Sequence, residues 1–157
     1  MKKRTKKYNP NKHARSATSA FDAINLSRPI DIERQNRLAV GIIASLEAFT
    51  KGVAEKSHFD TLASTVDLSM IFSQNLFDKA YMDEINLARD AMIRCRERYI
   101  RIKKLGLDGE ALTALKFVIS LHEEQLKHVT GAEVIHHLKK RDDHIRSGNY
   151  YKGGVAA

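Results

Sequence analysis

Ile85-Asn-Leu-Ala-Arg-Asp-Ala-Met-Ile-Arg-Cys-Arg-Glu-Arg-Tyr-Ile-Arg-Ile102 and Leu112-Thr-Ala-Leu-Lys-Phe-Val-Ile-Ser-Leu-His-Glu-Glu-Gln-Leu-Lys-His-Val129 are the two stretches that decide the fold. In the first, Ile85, Ala88, Met92, Cys95, Tyr99 and Ile102 recur at alternating spacings of three and four. Leu112, Leu115, Ile119, His122, Leu126 and Val129 repeat the pattern in the second. An α-helix returns a side chain to the same face about every 3.6 residues, so each set draws one seam down a helix. The spacing predicts helices over 79–104 and 110–129. Between them, Leu105-Gly-Leu-Asp-Gly109 is a tight break, with Gly106 placed to take the left-handed cap conformation. Two apolar seams joined by a short connection most simply bury each other as an antiparallel pair.

The same signals extend outward. Leu38, Ile42 and Leu46, joined by Ile43 and Phe49, predict a helix over 31–51 that stops at Gly52. Ser57 with Asp60 resembles a capping box and opens a helix over 58–76, with Leu62, Val66 and Met70 on one face. Thr130 with Glu133 forms a full box for a last helix over 131–146, with Val134, Ile135, Leu138 and Ile145 facing inward. Pro10 and Pro29 punctuate the front of the chain, and a short helix at 19–24 would dock Phe21 and Ile24 on the body. No strand-like alternation competes. The expectation is an all-α protein, a compact bundle of about five helices forming one domain over 16–146. A body of this size buries roughly 70% of its unfolded surface, enough for its own core.

Charge is distributed very unevenly. Seven of the 27 Lys and Arg fall in the first fifteen residues: Lys2, Lys3, Arg4, Lys6, Lys7, Lys12 and Arg15. No carboxylate precedes Asp22, and beyond the arm 20 cations face 19 anions. Residues 1–15 therefore read as a disordered cationic arm on a near-neutral body, and 147–157 as a short frayed tail. Such an arm points to an anionic partner, nucleic acid or a ribonucleoprotein, because each cation near a phosphate releases condensed counterions. Tyr8 adds one ring able to stack on a base. The candidate nucleic-acid-binding set is thus Lys2, Lys3, Arg4, Lys6, Lys7, Tyr8, Lys12 and Arg15.

Other chemistries find little support. His122 and His128 are six apart, whereas a zinc-protease helix needs two histidines four apart. His136 and His144 share a face, but Lys140 stands between them. His122 itself occupies a seam position and reads as a core histidine hydrogen-bonded across the helix pair, while His137 lies one turn from Glu133 and suits an ordinary helix pair. Cys95, the one cysteine, rules out an internal disulfide, suits a reducing cytosol and sits on an apolar seam where a thiol is hard to ionise. Glu123-Glu124 and Asp142-Asp143 diverge by about 100° on a helix and make no acid/base dyad. A helix-turn-helix about Thr130-Gly131 would present Ala132, Glu133, Val134 and Ile135 to base edges, a poor reading surface. No apolar run reaches the ~18–20 residues that span a bilayer, and no apolar segment of the secretory type follows the basic start. The residues predict no catalytic group, no metal and no cofactor.

Lys2-Lys-Arg-Thr-Lys-Lys-Tyr8 resembles the start of a family of small phage and prophage proteins of proteobacteria. The resemblance continues through Lys51-Gly-Val-Ala54, Phe59-Asp-Thr-Leu62, Gly109-Glu-Ala-Leu112, Leu121-His-Glu-Glu-Gln-Leu126 and Val129-Thr130. Where relatives often carry Gly-Pro before the fourth helix, this chain has Asp108-Gly109. The resemblance implies an accessory phage gene acting in the cytoplasm of a bacterial host, without catalytic residues. Together these features predict a non-enzymatic protein that binds nucleic acid or a nucleoprotein machine through its arm, in a regulatory or counter-defence role. The alternative is a protein–protein inhibitor or assembly factor that meets a host or phage protein through the helical body.

Overall fold

The computed structural model describes residues 26–146, apart from the side chains of His144 and Ile145. The arm at 1–15, the short helix expected at 19–24 and the tail at 147–157 lie outside the described residues. Five helices follow one another: α1 (Ile32–Thr50), α2 (Lys56–Leu76), α3 (Met82–Ile102), α4 (Gly109–His128) and α5 (Gly131–Arg146). Among the described residues the only extended pairing is an isolated bridge between Pro29 and Thr130. It brings the segment entering α1 beside the turn between α4 and α5. The all-α expectation holds.

Local chemistry explains most of the boundaries. The Asp31 carboxylate accepts from the Arg34 backbone N–H at 2.8 Å, and Asp108 accepts from Ala111 at 2.7 Å, so α1 and α4 each open on an aspartate cap. Thr130 and Glu133 form the reciprocal box at α5, with the Thr130 N–H donating to Glu133 at 2.8 Å. At α2 the expected Ser57–Asp60 cap is not the one used. The helix starts earlier because Glu55 is extended, and its N–H donates to His58 Nδ1 at 2.9 Å. α3 begins at Met82 instead of 79, since Asp78, Lys79 and Tyr81 all take left-handed backbone conformations that no right-handed helix contains. The left-handed cap after α3 falls on Lys103 (φ 56°), not on Gly106. Lys103 closes the last turn by donating to the Tyr99 carbonyl at 2.8 Å. Gly106 lies instead beneath the Arg98 guanidinium, which an added Cβ would meet at 3.4 Å.

The two seam helices pack on each other, and α2 packs against all four others. Ile85, Ala88, Met92 and Cys95 of α3 join Leu115, Val118 and Ile119 of α4 and Leu62, Val66 and Met70 of α2 in the main core. Phe72, Leu126 and Val129 form a second cluster toward α5. A helix enclosed on several sides buries more than one stripe. α2 accordingly also buries Thr65, Ser69, Phe72 and Ser73.

Several expected inward residues face out. Leu38 (48% exposed) lies a turn before the first buried apolar residue of α1, and Ile43 (51%) lies about 100° round the helix from Ile42. On α3 the seam is buried from Ile85 to Cys95 and then emerges, leaving Tyr99 and Ile102 partly open. On α5 Ile135 is open, and His137 is buried in its place. α5 packs on α2 and not back on α4, so only a narrow face of it is covered. There the Phe72 ring meets the His137 ring nearly edge-on at 5.9 Å. A helix-turn-helix would fold its last helix against the preceding one, and these two do not.

Candidate functional site

The mixed character of α2 and α3 becomes intelligible where they meet α5. Phe59, Ala63, Val66 and Met70 recur on one face of α2 at spacings of four, three and four. Arg89, Met92, Ile93 and Arg96 do the same on α3 at three, one and three. These two faces, with Lys140 and Arg141 of α5, enclose an open cleft of about 560 Å³. Its floor is apolar and its rim carries four cations, Arg89, Arg96, Lys140 and Arg141. A smaller cavity of about 270 Å³ adjoins it, sharing Phe59 and Arg96 and adding Lys56 and Tyr99.

One carboxylate interrupts the basic rim. Burial pushes Asp67 above the ordinary carboxylate range, against the opposing pull of the Arg141 and Arg89 charges. Arg141 also reaches Asp142 at 3.1 Å, so it is held from two sides. Arg96 is exposed and makes no ion pair or hydrogen bond among the described residues. A cleft with this sign and floor suits an anion with an apolar body, since flat apolar surface leaves water while its charge stays at the rim.

A polar layer lies behind the cleft but does not open into it. The Ser69 hydroxyl and His122 Nδ1 share a hydrogen bond of 3.1 Å. Gln125 Nε2 donates to the Ser73 hydroxyl at 2.9 Å and to the Ser69 carbonyl at 3.2 Å. His122 is 3% exposed and stacks parallel to Phe72 at 6.0 Å, and burial pushes its imidazole down to about 4. As expected it is a core histidine, although its partner lies on α2 and not across the α3–α4 pair. Serine beside histidine suggests a nucleophile and its base, but both are sealed from solvent and neither lines the cleft. Burial lowers His137, helped by His136 and Lys140 and opposed by the Glu133 carboxylate, so the helix pair expected with Glu133 involves a ring that is buried. Cys95 is buried, and burial raises its thiol against a backbone hydrogen bond from Gly106 and the Arg98 charge. Among the described residues no group of three or more His, Cys, Asp or Glu side chains is placed to hold a metal ion. No described helix is long and apolar enough to cross a membrane.

No family model, curated protein or solved structure matches this chain. The site must be read from its own residues. Lys2, Lys3, Arg4, Lys6, Lys7, Tyr8, Lys12 and Arg15 all lie outside the described residues, so the structure brings none of them to the cleft. The four rim cations were not among the residues expected to act. A signal for them was present: residues 94–104 hold six cations and one carboxylate, and Lys139-Lys140-Arg141 forms a second run. The overall charge balance of the body concealed it, because balance over a whole domain says nothing about balance over one face.

Proposed function

We propose that this is a non-enzymatic phage or prophage protein that engages nucleic acid or a nucleoprotein machine through its basic arm. Its role on this reading is regulation of host or phage processes, or interference with a nucleic-acid-based defence, in the cytoplasm of a bacterial host. The observation that carries the reading is seven cations without one carboxylate in residues 1–15, attached to a body whose charges nearly cancel. A segment of that composition has no means of burying itself and a strong electrostatic reason to meet phosphates. The cations gathered at the cleft give the body one face of the same sign.

Affinity for a generic duplex should fall with salt, and seven cations limit the log–log slope to no steeper than about −6. Replacing Lys2, Lys3, Arg4, Lys6 and Lys7 by Ala should flatten that slope and weaken binding. Unchanged binding by this variant would overturn the reading. A second reading, a protein–protein inhibitor or assembly factor, draws on a different observation. Ile32, Val40, Ile43 and Val53 are all more than half exposed on and just beyond α1. If the arm variant kept its function while Val40→Asp and Ile43→Asp lost it, the body would be the acting surface.

A further inference from the structure

We propose that the cleft between α2, α3 and α5 takes one nucleotide of a single strand, with the base on the apolar floor and the phosphate at the rim. This deepens the reading that nucleic acid is the partner and rests on it. Sign comes first. Arg96, Lys140 and Arg141 converge on one opening, and Arg96 is exposed with no ion pair among the described residues. A phosphate there meets the Arg96 guanidinium, whose charge is not paired, while Arg141 is already held by Asp142.

The floor argues for a base. Phe59, Ala63, Ile71 and Ile93 are the partly exposed apolar residues of the floor, with Val66, Met70 and Met92 buried beneath them. One aromatic ring among aliphatic side chains accepts a flat π-face without reading its edge. The volume of about 560 Å³ falls within the range of pockets that take small organic ligands. A duplex keeps its bases stacked and paired, so it reaches this floor only by flipping one out. A single strand offers its bases freely. The adjoining cavity continues the path, because Phe59 and Arg96 border both spaces and Tyr99 with Lys56 repeats the pairing of ring and cation. Asp67 supplies the one carboxylate acceptor in the cleft, beside the amide side chains of Gln74 and Asn75, and suits a ring N–H of the base.

The full chain, a labelled oligothymidylate and a duplex of equal length provide the test, read by fluorescence anisotropy at fixed salt. Arg96→Glu alters an exposed side chain, and Ala63→Phe fills the floor without changing charge. Each should weaken the single strand by about tenfold or more. Ala63→Phe should leave the duplex within about twofold. The five-residue arm variant should weaken both probes together, so loss of the arm effect sinks the arm reading and leaves the cleft result standing. Single-strand affinity unchanged by Arg96→Glu would overturn the cleft proposal, whether or not Ala63→Phe folds. Thymidine monophosphate binding as tightly as the strand would also overturn it, by making a free nucleotide the ligand. With a strand carrying 5-iododeoxyuridine, photo-crosslinks at Phe59 or Tyr99 support the assignment, and crosslinks confined to the arm refute it.

Discussion

Acid should destabilise this protein before most of its carboxylates titrate, and His122 should be the main cause. Its imidazole has a usual value of 6.5 and is pushed down to about 4 by burial in the folded chain. The folded state therefore resists a proton that the unfolded state accepts. Stability from this group is complete above about 6.5 and falls as the pH drops through the window from 6.5 to 4. Lowering the pH from 7 to about 5 costs roughly 2 kcal/mol on these two values. His137, also lowered by burial, adds to the loss with the same sign. Asp67 works in the opposite sense, because its raised carboxyl binds a proton more readily when folded, but its effect begins nearer its own range. The perturbation is His122→Leu, which keeps bulk beside Phe72 and removes the titration. Ser69 loses its partner, yet its hydroxyl has a helical carbonyl one turn back to which it can donate. Urea unfolding of both proteins at pH 7 and about pH 5 provides the comparison. The variant should lose about 2 kcal/mol less than wild type over that step. Equal losses in the two proteins would refute the buried neutral imidazole.

The seams and the turns give three further expectations. Met92→Asp or Ile119→Asp places a carboxylate in the core without a partner and should cost about 3–5 kcal/mol, whereas Leu38→Asp, half exposed, should cost less than about 1 kcal/mol. Melting curves followed by circular dichroism separate the two classes, and a core variant melting within a few degrees of wild type would show that the seam is not core. Lys79→Gly relieves a left-handed residue in the α2–α3 turn and should stabilise the fold by about 0.5–1 kcal/mol after glycine's extra unfolded freedom is subtracted. A lower melting temperature would contradict that turn geometry. Cys95 should react with a thiol reagent only slowly until the chain is denatured, and elemental analysis should find no stoichiometric zinc; rapid native labelling would move α3 out of register.

Periodicity made the helices legible because burying one face of a helix forces a repeat that nothing else in a sequence imitates. Ile85, Ala88, Met92 and Cys95 needed no other information. Helix ends were readable at Thr130, where the box with Glu133 forms as its spacing suggests, and misleading at Ser57, where Glu55 and His58 form the box instead, and at Lys103, where the backbone does the capping. A left-handed lysine leaves no trace in composition. Depth was harder still. Ile43 and Ile135 have the right character for a core and lie outside it, since exposure depends on which neighbours a helix meets and not on its own pattern. His137 is the converse, polar and buried because Phe72 of a distant helix closes over it. The cleft was the least legible part. Phe59, Arg96 and Arg141 come from three helices, and only their packing makes them one surface.

The position of α5 carries a kinetic consequence. It holds two of the four rim cations, yet it leans on α2 alone and hangs from the rest of the chain at its first turn, where Thr130 pairs with Pro29. Its amides should therefore exchange with solvent deuterium through a sub-global opening, well ahead of those in α2, which unfolds only with the whole molecule. In that opened form the cleft loses a wall and half its charge while the core stays shut. Whatever occupies the cleft must slow α5 exchange in proportion to its affinity, so the last helix doubles as a built-in reporter of occupancy.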